Sequence, residues 1–161
     1  MIRSAVRADV PTLVHLIHDL AEYERSPGSV KVDPGLLQAA LFGPSPAVFA
    51  HVAEEEDRIL GMAVWFLNYS TWTGRHGIYL EDLYVRPEAR SRGVGRALLT
   101  ELASIARHSG YERVEWSVLN WNESAIRFYR SLGAVPKDEW TAYRLDGADL
   151  AALAGEGSRR A

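Results

Sequence analysis

The run Arg90-Ser-Arg-Gly93-Val-Gly95-Arg96 follows an apolar stretch and opens a helical pattern, and its residue types suit the holding of phosphate. Gly93 and Gly95 let the backbone pass close to a bound group, because neither carries a Cβ. The N–H groups that open a helix have no internal acceptors and sit at the positive end of its dipole, so such a turn binds phosphate or pyrophosphate. Arg90, Arg92 and Arg96 add charge at the same place, and Ser91 and Val94 complete the turn. The usual nucleotide readers are excluded. A dinucleotide fingerprint needs a third glycine at another spacing, and a P-loop needs Gly-Lys-Ser/Thr, which the chain lacks. The plainer reading is an ordinary strand-to-helix turn with surface arginines.

Upstream lies Tyr79-Leu-Glu81-Asp82-Leu83-Tyr84-Val85. Adjacent residues of a regular strand point to opposite faces, so Glu81 and Asp82 are expected on opposite sides. Burying an unpaired carboxylate is expensive, so they are not both ordinary core residues. Each is a salt-bridge partner of an arginine or a contact for a ligand. The histidines carry less. His15 and His18 have i, i+3 spacing, but no carboxylate-rich partner motif follows, so they read as helix-surface or half-buried residues and no metal is expected. His51, His76 and His108 are isolated.

The elements that must position these groups follow from periodicity. Ile2 to Val6 alternates as a short strand, and Asp9 is placed to cap a helix with Pro11 in its first turn. Val10, Leu13, Val14, Ile17, Leu20 and Ala21 stripe that helix. Asp33-Pro34 starts a second, which Gly43-Pro-Ser-Pro46 closes. Val48–Glu54 and Ile59–Tyr69 read as a hairpin around Glu55–Arg58, and Ile78–Val85 is the strand feeding the glycine loop. Leu98, Leu102, Ile105 and Ala106 stripe the next helix, stopped by Gly110. Arg113–Leu119 alternates again, Asn122 caps a helix to Leu132 with Gly133 after it, and Val135 and Trp140–Leu145 supply final strands. The order β-α-α-β-β-β-α-β-α-β-β describes an α/β chain with a mixed sheet, parallel around the loop.

The chain has 161 residues, which suggests one domain over 1–154, with 155–161 an irregular tail. Net charge is −3, against a dedicated nucleic-acid binder but compatible with a cationic substrate. No cysteine is present, which removes disulfides, thiolate nucleophiles and Cys-based zinc sites and suits a cytoplasmic protein. No apolar run has the length of a membrane span, and the first residues do not read as a signal peptide.

With this order in place, the sequence resembles the GNAT acetyltransferases over nearly its whole length, and within them the diamine (spermidine/spermine) and thialysine N-acetyltransferases. The resemblance is carried by Leu20-Ala-Glu-Tyr-Glu24, Trp72-x-Gly74, Tyr79-Leu-Glu-Asp-Leu-Tyr-Val85, Trp121-Asn-Glu-x-x-Ile-x-Phe-Tyr129 and Glu139-Trp140. It implies direct transfer of acetyl from acetyl-CoA to a small-molecule primary amine, with no covalent enzyme intermediate and no metal. It implies that Arg90–Arg96 hold the cofactor's pyrophosphate and that Leu83, Tyr84 and Val85 run beside its pantetheine arm. Asn122, Ser124 and Tyr129 are then cofactor contacts. Tyr129 becomes the general acid toward the leaving sulfur, since a phenol remains protonated at neutral pH. Glu81 becomes the proton acceptor from the amine. Tyr23, Glu24, Trp72, Asp82, Asp138, Glu139 and Trp140 become the amine pocket, whose aromatic rings and carboxylates suit a flexible cation. A homodimer is implied as well. Taken singly, Phe128 and Tyr129 read as core aromatics on an amphipathic helix; the surrounding motif is what reverses that reading.

Two features depart from the resemblance. Ser91 stands where those enzymes have the first glycine of Arg-Gly-x-Gly-x-Gly, and Arg92 replaces an apolar residue. Polar Arg75 and His76 border the acceptor region, which disfavours a long polyamine. Other readings are a GNAT enzyme acting on protein amines or an antibiotic, and a non-catalytic CoA-binding module.

Overall fold

The computed structural model describes residues 1–155. The chain divides into two units, Met1–Leu119 and Asn120–Ala161.

The first unit is a five-stranded sheet in the order β1 (Ile2–Ser4), β2 (Phe49–Glu55), β3 (Arg58–Ser70), β4 (Arg75–Val85), β5 (Val114–Glu115). All neighbours are antiparallel except β4 and β5, which are parallel. Helices α1 (Val10–Tyr23) and α2 (Pro34–Phe42) cover one face. Leu13, Leu16 and Leu20 of α1 and Leu37 and Leu41 of α2 pack there against Val52, Met62, Val64 and Tyr84. Helix α3 (Val94–His108) buries Leu98, Leu102 and Ala106 of the expected stripe, and Leu99 beside them, while Ile105 is only half-buried. The irregular tail expected at 155–161 lies outside the described residues, apart from Gly155.

The cap expected of Asp9 is not made. Asp9 lies in a short 3₁₀ turn, and its carboxylate accepts from Val6 N at 2.8 Å and from Arg3 Nη1 and Nη2 at 2.7 and 3.0 Å. A charged donor outcompetes a helix N–H for the same oxygens. Asp33 and Asn122 do cap, accepting from Leu36 N at 2.8 Å and Ala125 N at 3.2 Å. Strand β5 is two residues long rather than the expected Arg113–Leu119.

In the second unit, Asn122 opens α4 (Glu123–Ser131) and Gly133, at φ 88°, turns the chain out of it. The strands expected at Val135 and Trp140–Leu145 do not form. A strand exists through its ladder, and no strand of the sheet pairs with this segment. Trp140 and Tyr143 accordingly stand 67% and 95% exposed. Helix α5 (Gly147–Leu153) follows, an element the sequence reading did not anticipate.

Candidate active site

The loop after β4 is held in place by the sheet. Arg86 N donates to Leu60 O at 2.9 Å, and Arg86 Nε donates to Ile59 O at 2.9 Å. A 3₁₀ turn, Pro87–Ala89, leads to Arg90. The backbone then enters the left-handed region twice, at Ser91 (φ 60°) and Gly93 (φ 82°). A Cβ on Gly93 would meet no atom within 4 Å, so the need for glycine there is conformational rather than spatial. The first N–H of α3 to bond back is Ala97 N, to Gly93 O at 2.9 Å. The N–H groups of Val94, Gly95 and Arg96 precede it and have no acceptor in the helix.

The three loop arginines are placed differently. Arg92 Nη2 lies 2.8 Å from both oxygens of Glu55, at the β2–β3 turn. Arg90 Nε donates to Val85 O at 3.0 Å, and its guanidinium lies 4.9 Å from the centre of the Tyr23 ring and 5.6 Å from that of Tyr84. Arg96 forms no ion pair among the described residues.

Strands β4 and β5 pair only at Ile78–Val114 and Tyr79–Glu115. From Leu80 onward, through Leu83, Tyr84 and Val85, the β5-side edge of β4 has no strand partner. Tyr79 Oη and Ser117 Oγ are joined at 2.9 Å, two residues past the last strand pair. An extended molecule can add along such an edge by backbone hydrogen bonds.

Alternation does not hold at the carboxylates. Against β3, Asp82 pairs with Val64, but Leu80 pairs with Trp65, so Glu81 is an extra residue on β4. Cross-strand partners share a face. Asp82 therefore lies with Val64 on the α1 face, and Tyr79, partner of Phe66, lies on that face too. Three residues apart, Tyr79 and Asp82 share a face only because of the bulge. The expectation that Glu81 and Asp82 point to opposite sides of the sheet assumed regular pleating, which ends here.

Neither carboxylate forms a salt bridge among the described residues. Desolvation, then the charges of Glu81 and Glu24, push Asp82 up to about 6. Desolvation also raises Glu24, at the C-terminal end of α1. Glu24, Glu81 and Asp82 thus form one anionic group, with Tyr23 adjoining it in sequence. Trp72, in the β3–β4 turn, is 88% exposed. Arg75 is paired with Glu112 at 3.2 Å, and His76 Nδ1 lies 3.0 Å from Asn68 O.

Within the second unit, Asn122 and Ser124 stand at the start of α4 and Tyr129 two turns on, with its ring 5.4 Å from that of Phe128. Glu139 is held below the usual carboxylate range, first by its hydrogen bond with Lys137 (2.6 Å). Asp138 and Trp140 flank it.

Residues 13–134 match the model of the acetyltransferase (GNAT) family. The chain belongs to that family. It is 36% identical to thialysine N-epsilon-acetyltransferase of Bos taurus, over 97% of this chain and 98% of that one. It is 31% identical to L-ornithine N5-acetyltransferase of Arabidopsis thaliana, over 94% and 86%. A solved integron cassette protein from the mobile metagenome of V. cholerae superposes with a TM-score of 0.81 at 28% identity, covering 96% of each chain. The protein is thus an N-acetyltransferase.

For this acetyltransferase the site includes groups that pattern reading missed. The bulge at Glu81 is one, since nothing in a run of apolar and acidic residues marks an inserted position. Arg86 is another, a positioning residue that ties the loop to β3. The i, i+4 pair of His15 and Asp19 at 3.6 Å leaves His15 on the surface, one of the two placements expected of it. No group of acids and histidines among the described residues is arranged to hold a metal ion. No helix among them is long and apolar enough to cross a membrane.

Proposed function

We propose that this acetyltransferase transfers acetyl from acetyl-CoA to the primary amine of a small molecule, a diamine or an amino acid of the thialysine or ornithine kind. The observation that carries the substrate class is the trio Glu24, Glu81 and Asp82, acidic groups with no ion pair among the described residues, gathered around a β-bulge. The relatives' names point to acceptors that carry an amine on a flexible chain.

The residues fit acetyl-CoA. The free N–H groups of Val94, Gly95 and Arg96, with the left-handed backbone at Ser91 and Gly93, form a phosphate seat. The unpaired edge at Leu83, Tyr84 and Val85 accommodates an extended amide-bearing arm. When bound, acetyl-CoA supplies an activated acyl carbon and a thiolate leaving group. This chain's own residues do the rest. Arg90 and Arg96 add charge near the phosphates, while Arg92 works through its pairing with Glu55, which braces the turn. Asn122 and Ser124 belong to the cofactor's side of the reaction. Asp82 and Glu24 hold the ammonium, and Glu81, the exposed member, takes its proton through water so that the neutral nitrogen attacks. A backbone N–H of β4 stabilises the carbonyl oxygen as its charge develops. The C–N bond forms, the C–S bond breaks, and Tyr129 donates its phenolic proton to sulfur. Tyr23, Trp72, Asp138, Glu139 and Trp140 contact the rest of the acceptor. The enzyme acts as a homodimer.

The test is a panel of diamines, ornithine, thialysine, peptides and aminoglycosides at fixed acetyl-CoA, scored by kcat/KM on the wild type and Tyr129→Phe. Small amines should lead. The variant should lose about a hundredfold in kcat, as expected for a general acid, while retaining its affinity for CoA. Full activity in the variant would remove Tyr129 from the mechanism, and leading activity on peptides or aminoglycosides would replace the substrate class.

A further inference from the structure

A cavity of about 360 Å³ lies between β1, the end of α2, the start of β2, β3 and α3, and none of Glu24, Glu81 and Asp82 lines it. Its wall is mostly apolar, with Phe42, Phe49, Trp65 and Ile105 contributing. Three polar side chains reach it: Ser4, His51 and Glu101. None belongs to the motifs that carry the acetyltransferase resemblance.

Hydrogen bonding decides what each can do. Trp65 Nε1, which can only donate, donates to His51 Nδ1 at 3.1 Å. The neutral ring therefore carries its proton on Nε2, which donates to Ser4 Oγ at 3.3 Å. Both ring nitrogens are used by the protein, and His51 is only 7% exposed. Burial lowers the His51 pKa, with the charge of Glu101 opposing that shift. His51 is therefore neither a free base nor a metal ligand. It fixes the indole of Trp65, which stacks on Phe49 with ring centres 4.6 Å apart. Glu101 is different. Among the described residues it has no ion pair and no hydrogen bond to another side chain. Arg7 is committed to Phe42, with Nη2 donating to the Phe42 carbonyl at 2.8 Å and its guanidinium 5.5 Å from the centre of that ring. The cavity thus offers a rigid aromatic wall and one uncommitted negative charge.

We propose that this cavity is a second ligand site, separate from the acetylation site, that takes a small organic cation with an apolar body. The nitrogen sits on Glu101 and the hydrocarbon part on Phe42, Phe49 and Trp65. Aromatic faces favour such a cation as well as its hydrocarbon portion. The volume is at the small end of ligand sites, which limits the occupant to about one ring with a short side chain.

The probe is N,N-dimethyl-2-phenylethylamine, a tertiary amine that cannot yield a stable amide. Its binding to the full chain is followed by calorimetry and by amide chemical shifts. Saturable binding is expected, with shifts at Ser4, His51 and Ile105. Glu101→Gln should weaken it about tenfold, and 2-phenylethanol should bind wild type about tenfold less tightly, the loss expected of one charge-assisted contact. Glu81→Gln should leave binding intact, and Glu101→Gln should retain turnover. No saturable binding, equal binding by Glu101→Gln, or shifts confined to residues around Glu81 would each overturn the proposal. The last would return the probe to the acceptor site.

Discussion

Two aspartates of the first unit are largely withdrawn from water and behave in opposite ways. Asp9 has its oxygens filled by Arg3 and by Val6 N, and the Arg3 hydrogen bond holds it below the usual carboxylate range. Asp82 forms no ion pair among the described residues, stands near Glu81 and Glu24, and is pushed up to about 6. Burial alone therefore does not separate a structural carboxylate from a functional one. The partners do. Asp9 closes a network in which Arg3 also bonds Glu54 at 2.6 Å, tying β1 to β2. Asp82 has its charge answered by no cation among the described residues, and an ammonium ligand would answer it.

The same substitution at both sites tests this difference. Asp82→Asn should lower kcat/KM for a small amine by about a hundredfold, the loss expected of a charge-assisted contact in a partly dry site. It should also raise stability at neutral pH by roughly 1–3 kcal/mol, since the folded state no longer carries a desolvated charge. Asp9→Asn should destabilise by about 2 kcal/mol, read from urea unfolding, and leave kcat/KM unchanged. A loss of stability in Asp82→Asn at neutral pH would show that the carboxylate has a structural partner after all.

Neither aspartate's fate could be read from its surroundings in the chain. The partners of Asp9 include Arg3, six residues away, and beyond it Glu54, which meets Arg3 only when β1 pairs with β2. Asp9 precedes a helix with Pro11, so the local pattern spoke for a cap. What was legible was periodic: most of the stripes of α1 and α3 (Leu16 and Leu99 escaped it), the Gly loop, the hairpin, the start of α2 at Asp33-Pro34 and the cap at Asn122. What was not was set by pairing between distant segments. The bulge at Glu81 depends on the register of β3. The fate of Val135 and Trp140–Leu145 depends on whether a neighbouring edge exists, so alternation in their sequence was necessary but not sufficient.

pH sharpens the comparison because the two sites carry opposite signs. Asp9 has a folded pKa below its unfolded one, so its contribution is full above the unfolded value and is lost as pH falls through the folded one. Asp82 has a folded pKa above its unfolded one, so between 3.8 and about 6 the native state binds the extra proton and stability falls as pH rises. The gain from Asp82→Asn should then be full above pH 6 and vanish toward pH 4. The loss from Asp9→Asn should persist across that range. Parallel pH profiles of the two variants would contradict the assignment.

The smallest effect concerns whether other local costs of the fold also gather at the site. Ser91 holds φ 60°, a conformation glycine adopts freely and a serine does not. It lies in the phosphate loop, at the position where the resembling enzymes carry glycine. The hydroxyl replaces that glycine without removing the left-handed turn, so the turn is imposed by the loop's path from Arg86 to α3. Ser91→Gly should therefore stabilise by about 1 kcal/mol, a shift of a few degrees in Tm. Ser91→Ala should give none of this, because its Cβ meets the same backbone. If both variants behave alike, the hydroxyl rather than the conformation governs this position. If only glycine stabilises, Ser91 joins Asp82 as a residue whose local cost falls at the site, in contrast to Asp9, whose carboxylate is filled by protein donors.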